Sequence, residues 1–143
     1  MNPSGPYLKI AAFCDKVLQE QDGVISLIRV IDQINSTAKG PGAPKEMPPL
    51  DYQIFAVISL KSGSARGKHT IAIKQESPAG LMISPAFEQQ VVLEGEERGH
   101  NLVVNMQLKF DEEGLYWFHV LLDDELLTKM PLRVTYLRSS GPS

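Results

Sequence analysis

Apolar and polar residues alternate most regularly toward the end of the chain. Leu102, Val104, Met106, Leu108 and Phe110 take every second position, and Asn101, Asn105, Gln107 and Lys109 lie among the positions between them. Successive side chains of a strand point to opposite faces, so this run predicts a strand with one face on a core and the other in water. Val103 is the apolar exception. Tyr116, Phe118, Val120 and Leu122 repeat the pattern, and Met130, Leu132, Val134 and Tyr136 repeat it again after Asp123-Asp124. An acidic pair suits a hairpin loop of two to four residues, because Asp tolerates turn geometry that branched residues resist. The three runs predict an antiparallel meander.

Between the first two runs stands Asp111-x-x-Gly114-x-Tyr116. A tyrosine just inside a strand at such a corner can turn its hydroxyl back to the backbone of the preceding connection, as in antiparallel sandwiches of the immunoglobulin type. Asp111, Gly114 and Tyr116 are therefore expected to form a structural corner. Upstream, strands are predicted over Tyr7 to Gln19, Val24 to Ile34, Asp51 to Lys61, Lys68 to Glu76 and Phe87 to Leu93, separated by Gly-, Ser- and Asp-rich turns. Short strands without an amphipathic helix predict an all-β, immunoglobulin-like antiparallel sandwich of seven or eight strands over residues 7–138. Tails 1–6 and 139–143 are expected to be disordered. Proline and glycine mark Asn35 to Pro49 as a long surface loop, and Ser77 to Ala86 as a second, with Leu81, Met82 and Ile83 tucked over the core.

Composition narrows the classes of function. The 143 residues suffice for one domain with a useful core, and 43% hydrophobic with 22% charged residues is ordinary for a globular protein. A net charge of -3 and no basic cluster speak against nucleic acid, and no apolar run reaches the ~20 residues that span a bilayer. The amino terminus has no basic region followed by an apolar stretch, and Cys14 is the single cysteine, so a cytoplasmic protein without disulfides is expected. Cys14 shares parity with Leu8, Ile10 and Ala12 and reads as a small buried residue.

Catalytic patterns are weak. His69, His100 and His119 have no metal-ligand spacing, Ser62-Gly63-Ser64 lacks the first glycine of a nucleophile elbow, and the acidic turns do not match a calcium loop. No catalytic residue, metal or cofactor is predicted. The rival reading, an enzyme or small-ligand binder, would use loops at one end, with His100, Asp111 and Glu113, or His119 with Asp123. The favoured reading is a non-catalytic interaction module. Trp117, His119 and Leu121 lie opposite the core-facing side of their strand, and Phe55 and Val57 do the same on Asp51 to Lys61. Were the two strands neighbours, as the third strand and the corner strand of such a sandwich are, these five side chains would form one apolar outer face. Its cover would be a second copy, making a homodimer, an unknown protein partner, or the chain's own Ala43 to Pro49 and Ser77 to Ala86 connections.

The chain resembles an uncharacterised bacterial family of short stand-alone proteins. Ala12-Phe13-Cys14-Asp15 through Gln21-Asp22-Gly23, Ile25 to Ile34, Asn101 to Asn105, Gly114 to Phe118, Asp123-Asp124 and Pro131 to Val134 carry the likeness. It implies a sandwich fold and brings no activity. Asp124 departs from the glycine common there, which works against a two-residue turn needing positive φ.

Overall fold

The computed structural model describes residues 5–83 and 87–139; most of the two expected tails lies outside these. Among the described residues nine strands follow one another: β1 (Tyr7–Gln19), β2 (Ile25–Ile31), β3 (Gln33–Lys39), β4 (Leu50–Lys61), β5 (Arg66–Glu76), β6 (Phe87–Glu94), β7 (Gly99–Phe110), β8 (Gly114–Leu122) and β9 (Glu125–Ser139). Ser139, expected in a disordered tail, closes β9 opposite Lys39. The strands build two sheets, ordered β2-β1-β4-β7 and β3-β9-β8-β5-β6. The second is a curled half-barrel. All pairings are antiparallel except β3 with β9.

The expected single strand Val24 to Ile34 is two strands in different sheets, broken at Asp32. The Asp32 carbonyl accepts from Arg133 N–H at 2.9 Å, which starts the parallel ladder of β3 along β9. Asn35 to Lys39, expected in a loop, is therefore a strand. Its polar residues hid it, because an edge strand can hold its place with backbone hydrogen bonds while Ile34 alone inserts a large side chain into the core. The true loop begins at Gly40 and drops Met47 into the core, 7% exposed, while Tyr136 Oη donates to the Pro44 carbonyl at 2.7 Å.

One core joins the two sheets. Ile54, Ala56, Ile58 and Leu60 of β4 and Leu102 to Phe110 at alternate positions of β7 face Ile71, Ile73, Phe118, Val120 and Leu132. Phe13 meets Phe118 edge-on, ring centroids 4.9 Å apart, and Phe110 meets Tyr116 at 4.8 Å, so aromatic pairs bridge the layers. In β1 a bulge between Leu8 and Ile10 reverses parity: Leu8 packs on the core, whereas Ile10, Ala12 and Cys14 face outward. Leu81, Met82 and Ile83 are not tucked over the core but exposed at 69%, 50% and 48%.

The acidic hairpin closes in two residues. Leu122 pairs with Glu125, and Asp123 and Asp124 take φ of 50° and 69°. Asp enters this left-handed region at less cost than most residues, and Asp123 is tied down besides. Its amide donates to the Thr70 carbonyl at 2.8 Å and its carboxylate accepts from Thr70 N–H at 2.9 Å. The departure at Asp124 is thus absorbed.

Candidate functional site

The five candidate side chains are not brought together. β4 pairs with β1 and β7, and β8 with β5 and β9. Phe55 and Val57 thus look out from the four-stranded sheet, while Trp117, His119 and Leu121 look out from the other, on the opposite side of the molecule. The expected neighbourhood fails because the extra strand β3 shifts the count, leaving β5 rather than β4 beside the corner strand.

Each half has its own chemistry. On the four-stranded sheet, cross-strand partners share a face, so the register builds rows. Val30, Cys14 and Phe55 form one row across β2, β1 and β4, and Ala12, Val57 and Val103 form the next across β1, β4 and β7. Val57 and Cys14 are fully covered by their neighbours, whereas Val30 is 63% exposed, and Ile28 and Leu18 on the same face are 38% and 42% exposed. Polar pairs border the rows: Gln53 Nε2 donates to Asn105 Oδ1, and Ser59 Oγ to Asn101 Oδ1, both at 2.6 Å. An apolar stripe with a hydrogen-bonded margin has the layout of a protein contact. The sequence signal for the missed half was the apolar character of Val24 to Ile34 at both parities, together with Val103.

Around Trp117 the surface is mixed. Trp117 lies between Pro131 of β9 and Glu76 of β5 in register, with Lys129 Nζ 6.0 Å from its ring centroid. His119 Nε2 and Glu76 Oε1 are 2.7 Å apart, and Leu121 is flanked by Ala72 and the exposed Leu126. Lys129 and the His119–Glu76 pair place charge and polarity directly beside Trp117, whereas on the other face Lys16 and the Asp51–Lys109 pair stand outside the two apolar rows.

The rival groupings come apart. His100 starts β7 opposite Leu60, at the far end of that strand from Asp111 and Glu113, about 35 Å away along the strand axis. His119 reaches Glu76, and Asp123 instead holds His69. His69 Nδ1 lies 2.6 Å from Asp123 Oδ2 and Nε2 lies 3.2 Å from the Arg66 carbonyl, so both ring nitrogens face acceptors. The hydrogen bond to Asp123 raises the His69 pKa above 6.5, and the Thr70 amide followed by His69 lowers that of Asp123 below 3.8. A raised imidazole stabilises the fold fully below its unfolded pKa and loses that contribution as pH rises through its folded value. A lowered carboxylate contributes above its unfolded value and loses it as pH falls. Native protein should therefore exceed His69→Gln in Tm most near pH 5–6, with the gap shrinking as pH rises past 6.5. Exposure of Asp123, 51%, keeps the difference under about 1 kcal/mol. Thermal melts across pH check this; a pH-independent gap contradicts it.

Burial pushes the Cys14 thiol up, which keeps it protonated and a poor nucleophile. Among the described residues no cluster of three His, Cys, Asp or Glu is placed to hold a metal ion, and no helix is long and apolar enough to cross a membrane. At the corner, Tyr116 Oη donates to the Glu112 carbonyl at 2.6 Å and accepts from its N–H at 3.3 Å. Gly114 takes φ 138°, with Pro78 packed where a side chain would begin. Asp111 is exposed and lies with Glu112 and Glu113 along a shallow cleft shared with Lys45 and Glu46.

The model of a family of unknown function, DUF6941, matches residues 9–135. No curated protein matches the chain. Among solved structures, the chain is similar to part of the alkylpurine DNA glycosylase AlkC of Pseudomonas fluorescens, bound to DNA containing an abasic site analog. The TM-score is 0.55 at 10% identity, over 91% of this chain and 30% of that one. It is similar also to part of a β-glucosidase from Listeria innocua in complex with glucose, with TM-score 0.52 at 12% identity over 89% of this chain and 16% of that one. These likenesses concern the fold alone.

Proposed function

Since the chain belongs to DUF6941, a family of unknown function, its role has to be argued from its surface, and we propose a non-catalytic interaction module that forms a homodimer through the outer face of β2-β1-β4-β7. The observation that carries this reading is the apolar stripe of Ala12, Ile28, Val30, Phe55, Val57 and Val103, bordered by amide and hydroxyl pairs. Two such sheets can stack face to face about a twofold axis, apolar rows against apolar rows. Covering Leu18, Ile28 and Val30 contributes on the order of 3–5 kcal/mol per protomer, twice that for the pair, against an association cost of about 4 kcal/mol or more. The favourable end of this balance, about 6 kcal/mol net, corresponds to a weak dimer that forms at tens of micromolar. Val30→Asp sets a carboxylate against the apolar rows of the second copy, where its desolvation opposes association, so it is expected to abolish association while Trp117→Ala leaves it intact; gel filtration with light scattering distinguishes the two.

The proposal includes an immunoglobulin-like description of the fold. Supporting it are the tyrosine at the start of β8, the setting of β8 between β5 and β9, and the parallel packing of an early strand on the last one. A cytoplasmic setting is part of the same reading, supported by the buried unpaired thiol of Cys14.

A further inference from the structure

The four sheet edges are not equally protected. β2 is seven residues long and carries Arg29 at φ 57°, its side chain held to Asp15 at 2.6 Å; β3 is short and mostly polar, and β6 is short and carries Glu88 and Glu94. Such features blunt an edge against added strands. β7 has none of them. It runs 12 residues without proline, without a non-glycine residue at positive φ, and with Lys109 as its one lysine, arginine, aspartate or glutamate. It pairs with β4 from Leu50↔Phe110 to Lys61↔Gly99 without a register shift, and no strand lies on its other flank among the described residues.

A cleft of about 490 Å³ runs along that open flank. It touches every residue from Val104 to Lys109 in succession. Because neighbouring side chains of a strand point to opposite faces, a channel in contact with all of them lies along the edge, against the backbone. Gln75 and Phe87 of the other sheet, Ile83 of the connection between β5 and β6, and Asp111 at the end of β7 complete the lining. Gln75 is 5% exposed on the core-facing parity of β5, and its Nε2 has no hydrogen-bond partner among the described residues. A buried donor without an acceptor is destabilising, a cost that an incoming carbonyl removes.

We propose that this slot takes an extended peptide of another protein, which adds to β7 as a fifth strand. Its backbone pairs with the free edge, alternate apolar side chains pack on Phe87 and Ile83, and one carbonyl accepts from Gln75 Nε2. The walls contributed by the second sheet favour a lone strand over β7 of a second copy, which arrives with its own sheet and its own Phe87 and Ile83. This surface meets the outer face assigned to the dimer at Asn105 but does not depend on it.

A phage library of random dodecapeptides, panned on the native protein, supplies the probe, which is then synthesised with a fluorescein label. The expected binder alternates apolar residues and slows hydrogen exchange at Val104 to Lys109. Methylating its backbone nitrogens at one parity weakens binding about 10-fold and at the other parity about 2-fold or less, since alternate amides face the edge. Gln75→Leu weakens binding about 5- to 10-fold with no fall in Tm. The proposal is overturned if the library yields no binder, if protection falls elsewhere, if methylation acts alike at both parities, or if Gln75→Leu binds like native. Protection of β7 that grows with protein concentration alone assigns the slot to a second copy and overturns it too.

Discussion

Phe118→Ala is expected to lower stability by about 3–5 kcal/mol and Tm by roughly 10–15 °C, the largest single effect in the chain. Phe118 is fully buried at the middle of β8 and meets Phe13 of the opposite sheet edge-on at 4.9 Å. Truncation removes the burial of a large ring, leaves a cavity between layers that strands on both sides hold open, and abolishes an aromatic contact. Domains of this size are stable by only about 5–15 kcal/mol, so the variant sits near the limit of folding. Urea denaturation of both proteins measures the difference. A loss under about 1 kcal/mol contradicts the two-layer core.

Gly114→Ala comes next, at about 2–4 kcal/mol. Its φ of 138° lies where side chains are strained, and an added Cβ would meet Pro78 Cγ at 2.7 Å and Pro78 Cβ at 2.8 Å. The two causes can be separated. Pro78→Gly removes the obstructing ring but not the backbone strain, so in the Pro78→Gly background the alanine should cost about 1–2 kcal/mol less. Equal cost in both backgrounds would mean that only the dihedral matters. Because Gly114 starts the strand that Tyr116 ties to Glu112, the same substitution also reports whether the corner is held from outside by the Ser77–Leu81 turn.

Alternation made the last three strands readable, since Leu102 to Phe110 and Tyr116 to Leu122 each bury one parity. It gave the facing of side chains but not the company of strands. Which strand lies beside β8 depends on contacts distant in sequence, and one unrecognised strand, β3, was enough to misplace β4 relative to it. β3 was hidden because Gln33 to Lys39 bonds through its backbone. The bulge in β1 was hidden because it shifts parity without a glycine or proline to mark it. At the candidate surface, Phe55 and Val57 were legible as outward residues. Their true neighbours Ala12, Val30 and Val103 were not, since they become neighbours only through register.

Sedimentation equilibrium between about 5 and 500 μM tests the proposed interface most directly. The monomer is 15.8 kDa. The expected result is a mass rising toward twice that value for the native protein and for Trp117→Ala, and staying at one chain throughout for a folded Val30→Asp. A native protein that remains a single chain at the highest concentration, or a dimer that Val30→Asp leaves unchanged, contradicts the account.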